Sequence, residues 1–198
     1  MTLPPAILSA LIDRVTGEII SHADELTALD AAIGDSDHGV NMKRGAEAVR
    51  AERDAFAAKP LGEALKAIGT KLVMTIGGAS GPLYGTLAMS LGREIESGSL
   101  AEALAHATDA VAARGKSTVG QKTMLDVLYP AVEALRQGKV PADLPALLDA
   151  AAESTIPMKA LRGRASFLGE RSVGHMDPGA RSAAIIANTI VKTLEGTL

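Results

Sequence analysis

Apolar residues recur along this chain at three- and four-residue intervals almost from end to end, the spacing that lines one face of an α-helix. Ile7, Leu8, Leu11, Val15, Ile19, Leu26 and Leu29 form the first stripe, which Pro5 opens, and they predict a first helix from Pro5 to about Asp30. A second helix is expected from about Gly39 to Ala58, where Lys59-Pro60 breaks it. Leu61, Leu65, Ile68 and Leu72 share a face of a third helix ending near Thr75, and a fourth runs from Pro82 to about Ser97-Gly98. The fifth spans about Leu100 to Arg114, with Leu104 and Val111 inward, and the sixth about Lys122 to Gln137, with Leu125, Leu128, Val132 and Leu135 aligned. The seventh, about Asp143 to Leu161, meets Pro157, a residue that kinks or shortens a helix. Asp177-Pro178, a capping carboxylate followed by a proline in the first turn, starts the eighth, which ends near Glu195.

The connections alternate in character. Those after the second, fourth and sixth helices are short and plain; those after the first, third, fifth and seventh are glycine-rich and polar. In an antiparallel up-and-down bundle alternate loops fall at one end. The pattern therefore predicts an all-α, eight-helix antiparallel barrel or bundle, with four unusual loops on one rim and the N-termini of helices two, four, six and eight facing it. Each N-terminus brings unpaired N–H groups and a partial positive charge, so together they suit a polyphosphate.

Composition narrows the picture. The chain of 198 residues is 47% hydrophobic but only 2% aromatic, with no Trp, so its core must be aliphatic and alanine-rich, and one domain over 1–198 is expected. A net charge of −3 argues against a nucleic-acid groove. No cysteine is present, the N-terminus lacks a basic leader pattern, and no apolar run reaches the roughly 18 residues of a membrane span. These features fit a cytoplasmic protein without membrane or nucleic-acid partners.

The first unusual loop holds the clearest chemistry. Asp30, Asp35 and Asp37 lie within eight positions, with Gly34 and Gly39 among them and His38 and Asn41 following. Three carboxylates gathered without cysteine favour a hard divalent cation such as Mg²⁺ or Ca²⁺. Turn chemistry is the plainer alternative, with Asp37 capping the second helix and Asp35 in an Asx-turn. Asp30 resists it, since a helix C-terminus disfavours a carboxylate. The Gly77–Gly81 loop is either an ordinary cap completed by Ser80 or bare backbone for a phosphate. Gly115-Lys116-Ser117-Thr118 looks like the tail of a phosphate-binding loop, but Ala110 stands where its first glycine belongs and no strand precedes it. Met124 reads as core or as a surface for an adenine ring. Arg162, Arg164, Arg171 and His175 bring positive charge to the last loop, and Arg171 is a candidate phosphate clamp.

Four ordered motifs carry a resemblance over nearly the whole chain. They are Gly34-Asp35-Ser36-Asp37-His38-Gly39-Val40-Asn41-Met42, Gly77-Gly78-Ala79-Ser80-Gly81-Pro82-Leu83-Tyr84-Gly85, Gly120-Gln121-Lys122-Thr123-Met124-Leu125-Asp126, and Gly163 to Ser172 with Gly174-His175 and Asp177-Pro178-Gly179-Ala180. The chain resembles the nucleotide-binding L subunits of dihydroxyacetone kinases. The resemblance implies an eight-helix barrel binding ADP or ATP with two Mg²⁺ ions on Asp30, Asp35 and Asp37. It implies nucleotide contacts from His38, Gly39, Val40, Asn41, Ala79, Ser80, Gly115, Met124, Arg171, Asp177, Pro178 and Gly179. It further implies a separate K subunit that holds dihydroxyacetone and, in phosphotransferase-system members, an M subunit that rephosphorylates the bound ADP; a homodimer is compatible with it. No catalytic residue is assigned on this chain beyond the metal–nucleotide centre. Three other readings stay open: a free-ATP kinase subunit for another small ketose, the nucleotide domain of a fatty-acid kinase, and a helical lipid-binding module with a structural metal.

Overall fold

The helical periodicity is realised in a computed structural model that describes residues 3–96, 98–139 and 141–195. Among the described residues there are ten α-helices and no strand: α1 (Pro5–Ser21), α2 (Ala23–Ile33), α3 (His38–Ala51), α4 (Arg53–Ala57), α5 (Leu61–Thr75), α6 (Ser80–Glu94), α7 (Leu100–Gly115), α8 (Leu125–Arg136), α9 (Leu144–Glu153) and α10 (Pro178–Glu195). Short 3₁₀ stretches cover Pro141–Asp143 and Arg164–Ser172.

The ten helices make eight rods, because two expected helices are each divided. The first breaks at His22, whose ring Nδ1 donates to the Glu18 carbonyl at 2.8 Å, and then runs on to Ile33. Asp30 thus lies on the buried face of the last turn of α2. The second breaks at Glu52, leaving α4 as a short turn that buries Phe56. The sixth begins at Leu125, three residues later than its pattern suggested, because Lys122 adopts a left-handed backbone with φ +61. The seventh stops at Glu153, before Pro157. The fourth starts at Ser80 and ends at Glu94; Ser97, near its expected end, lies outside the described residues.

Each rod packs on the rods before and after it in sequence, and α10 closes the ring against α1 and α2. The core is aliphatic, as the composition required: Leu26, Val127, Ala184 and Leu125 are all but inaccessible, with Met42, Tyr84 and Val111 beside them. Burying a Leu of this kind contributes about 1.5–3 kcal/mol. Close approach of α5 and α6 rests on facing glycines. A Cβ on Gly62 would stand 2.7 Å from the Gly92 carbonyl, and one on Gly69 would stand 2.8 Å from that of Gly85. An apolar cavity of about 230 Å³ lies among Leu8, Ile12, Val49, Leu65, Leu72 and Ile190. No helix among the described residues is long and apolar enough to cross a membrane.

Candidate functional site

The four glycine-rich connections do meet. A cavity of about 510 Å³ opens at one rim, walled by residues from the loops after α2, α5, α7 and α9 and by the first residues of α3, α6, α8 and α10. His38, Ser80, Leu125 and Pro178 open those helices, and all line the cavity. Helix N-termini directed at one space make it a receptor for anionic groups.

Asp30 builds the carboxylate end. Its Oδ2 accepts the Asp37 amide at 2.8 Å and the His38 amide at 3.0 Å, so a buried carboxylate from α2 caps α3. Gly34 is needed for that turn, since a Cβ there would fall 2.0 Å from Asp30 Oδ1. Asp37 makes no side-chain capping bond, contrary to the plain turn reading. Asp30, Asp35 and Asp37 each present a carboxylate oxygen within 4.8 Å of the others. One partner charge is visible, Arg164 Nε at 3.1 Å from Asp35 Oδ2, and that guanidinium is largely exposed. An all-oxygen, trianionic cluster of this size fits a hard divalent cation.

Beside it, His38 is buried and neutral: burial lowers its pKa against the pull of Asp30 and Asp37. Its Nδ1 lies 3.1 Å from Ser80 Oγ and its Nε2 2.9 Å from Ser182 Oγ, which in turn lies 2.7 Å from the Tyr84 hydroxyl. A neutral imidazole, one nitrogen donating and one accepting, suits two hydroxyls. This series of bonds ties the N-termini of α3, α6 and α10 together. It also shows that Ser80 serves His38 and does not cap α6.

At the opposite wall, Met124 is buried and faces Pro178 and Gly179; a Cβ on Gly179 would come 3.7 Å from the Met124 amide. Asp126 Oδ1 and Oδ2 accept the amides of Gly120 (2.5 Å) and Thr123 (2.7 Å), which shapes the turn into α8. Lys116 ends α7 as a left-handed C-cap with φ +49, so the Gly115–Thr118 stretch is a helix terminus and not a phosphate loop.

Asp177 Oδ2 accepts the Ala180 amide at 2.7 Å, capping α10 as its sequence predicts. Burial raises its pKa from 3.8 to about 7, offset in part by the Ala180 amide and the Lys122 charge. Between those values the folded protein holds a proton that the unfolded protein has lost. Its contribution to stability is therefore complete below about pH 4 and is lost as pH rises through about 7. Asp177→Asn, which keeps a capping oxygen, should remove that slope. In urea titrations, the stability of the variant minus that of the parent should rise between pH 4 and pH 8; a flat difference would contradict the assignment.

Eleven of the expected site residues line the cavity: Asp30, Asp35, Asp37, His38, Ala79, Ser80, Gly115, Met124, Asp177, Pro178 and Gly179. Four do not. Gly39 packs on α2, where a Cβ would meet the Ala23 carbonyl at 2.0 Å. Val40 is 59% exposed on the outside of α3. Asn41 is buried, with its Oδ1 accepting from Arg44 Nη2 at 2.7 Å. Arg171 is exposed at the end of the Arg164–Ser172 stretch, away from the wall. Residues that sequence reasoning did not single out are Tyr84, Ser182, Arg164 as a partner of Asp35, and the buried Lys122. Tyr84 and Lys122 stood inside the quoted motifs, and Ser182 lies one turn beyond Pro178.

Comparison with known proteins agrees with the all-α fold. Residues 32–192 match the DAK2 domain. The chain is 45% identical over 181 residues to the ADP-binding subunit DhaL of PEP-dependent dihydroxyacetone kinase from Escherichia coli K12, covering 84% of this chain and 86% of that protein. It is 42% identical over 173 residues to the corresponding subunit of kinase 1 from Listeria innocua, covering 85% and 86%. The crystal structure of the C. freundii dihydroxyacetone kinase in complex with AMP-PNP and Mg²⁺ superposes with a TM-score of 0.79 at 26% identity, over 97% of this chain and 34% of that one. The fold and the sequence together place this chain in the DAK2 domain family, among the ADP-binding subunits of dihydroxyacetone kinases.

Proposed function

We propose that this chain is the nucleotide-bearing subunit of a dihydroxyacetone kinase. It binds ADP or ATP with two Mg²⁺ ions and passes a phosphoryl group to dihydroxyacetone held on a separate K subunit. The observation that carries the reading is the meeting of a three-carboxylate cluster and four helix N-termini at one cavity. Asp30, Asp35 and Asp37 would hold the ions, which neutralise phosphate charge when bound. The amides at the start of α6 would bind phosphate oxygens, with His38 and Ser80 beside them, while Asp30 holds the Asp37 and His38 amides at the start of α3. Met124, Pro178 and Gly179 offer the apolar surface that an adenine ring requires. Arg171 lies outside the wall and would reach the phosphates by a movement of the Arg164–Ser172 stretch. We assign no general base to this chain, and catalysis here would be positioning and electrostatics.

Transfer needs an acceptor from elsewhere. The sequence spans 34% of the C. freundii kinase polypeptide and 35% of the rat triokinase/FMN cyclase. The cavity opens at the rim, and the K subunit would cover the four glycine-rich loops. The likeness to PEP-dependent subunits favours rephosphorylation of bound ADP by a phosphotransferase-system M subunit over exchange with free ATP. The alternative is a free-ATP enzyme for another small ketose.

Reconstitution tests the reading. The protein, charged with Mg²⁺ and ATP and mixed with a K-type subunit and dihydroxyacetone, should yield dihydroxyacetone phosphate in a single turnover. Turnover sustained only by an M-type subunit and its phosphodonor would support the PEP-dependent form. No product with any K-type partner would defeat the reading.

A further inference from the structure

Lys122 is 1% exposed, which makes it the largest fully buried side chain among the described residues. It belongs to neither the metal cluster nor the series of bonds around His38. Its backbone is left-handed, two residues after Gly120 at φ +84, a conformation that a residue with a Cβ adopts only when its surroundings hold it there. The side chain runs inward and its ammonium donates to the Thr155 carbonyl at 2.6 Å and to the His175 carbonyl. Burial lowers the pKa of the amine, and the charges of Asp177 and Asp126 oppose that shift.

The two acceptors lie in different segments, one just after α9 and one just before α10. From Thr155 the connection continues: its Oγ1 accepts the Asp177 amide at 3.0 Å, and Asp177 Oδ2 accepts the Ala180 amide at 2.7 Å. One ammonium therefore joins the turn that delivers Met124 to the segment that delivers Pro178 and Gly179. These are the two sides of the apolar end of the cavity. A loop needing only local order would be satisfied by the Asp126 bonds to Gly120 and Thr123.

We propose that Lys122 is a positioning residue for the nucleotide: it fixes the gap between Met124 and the Pro178–Gly179 turn before ligand arrives, so that binding need not order those segments. The inference rests on the nucleotide reading for its ligand, though not for its structural content.

The test compares Lys122→Met, which keeps much of the volume and loses both bonds, with Leu148→Ala, a core truncation on α9 that does not line the cavity. Thr155→Val, which removes the next link, serves if Lys122→Met does not fold. Calorimetry with Mg²⁺–ADP should show affinity lowered at least tenfold in the Lys122 or Thr155 variant and changed less than twofold in Leu148→Ala, although all are destabilised. Hydrogen exchange of the protein without nucleotide should show faster exchange at the Asp177 and Ala180 amides in the Lys122 or Thr155 variant only. Equal exchange at those amides, or an affinity loss matched by Leu148→Ala, would overturn the proposal. If the parent bound no ADP, the nucleotide reading would fail, and the exchange measurement would still decide whether Lys122 holds the turn.

Discussion

Asp30→Asn is expected to lower affinity for Mg²⁺–ADP by about 100-fold or more, with phosphoryl transfer lost alongside. Removing even an outer partner of a metal ligand costs about 10- to 100-fold, and this change removes a charge from a cluster of three. The fold should survive, because an asparagine oxygen can still accept the Asp37 and His38 amides that Asp30 Oδ2 now holds at 2.8 and 3.0 Å. Weakening two charge-assisted bonds to neutral ones costs about 1–3 kcal/mol together. Calorimetry with and without Mg²⁺, beside circular dichroism, separates the effects. Binding that keeps its full dependence on Mg²⁺ would move the ion away from Asp30.

Gly39→Val should have the largest effect on stability, a loss of about 3 kcal/mol or more, at the upper end for overpacking. A Cβ at Gly39 would sit 2.0 Å from the Ala23 carbonyl and 2.6 Å from the Thr27 amide. Both are backbone atoms of α2, so no rotamer change relieves the contact. The strain falls between α2, which carries Asp30, and α3, whose first turn lines the cavity. Mg²⁺–ADP affinity should therefore fall with stability. Gly17→Ala is the opposing control. Nothing stands within 4 Å of a Cβ there, and an alanine inside α1 should gain about 0.5–1 kcal/mol. Urea denaturation measures both; a Gly39→Val variant within about 1 kcal/mol of the parent would show that α2 and α3 are not closely packed there.

The contrast between these two glycines shows what the sequence could reveal. The rods and the shared rim were legible because apolar spacing and loop character are both periodic, and a closed ring of antiparallel rods has one way to arrange them. The breaks at His22 and Glu52 were not, because neither residue is a helix breaker and the apolar stripes run straight through. The late start of α8 was hidden for a related reason: a left-handed lysine has no signature, and its cause is two carbonyls far along the sequence. The Asp triad was visible as a cluster, but only the fold distinguishes its members, with Asp30 buried and capping α3 while Asp35 and Asp37 stay exposed. Gly39, Asn41 and Arg171 stand in the quoted motifs but off the cavity wall. Gly39 serves helix packing, Asn41 is held by Arg44, and Arg171 stands off the wall.

Native mass spectrometry of the purified protein in Mg²⁺ and ADP tests the central claim most directly, because it reads what the rim holds without needing a partner. The account predicts a complex carrying one ADP and two Mg²⁺ per protein molecule, lost on chelation and absent in Asp30→Asn. The apolar cavity of about 230 Å³ supplies the competing outcome. A protein that retains an acyl lipid and takes up no nucleotide, with or without Mg²⁺, would contradict the account and make the carboxylate cluster part of a lipid-binding module.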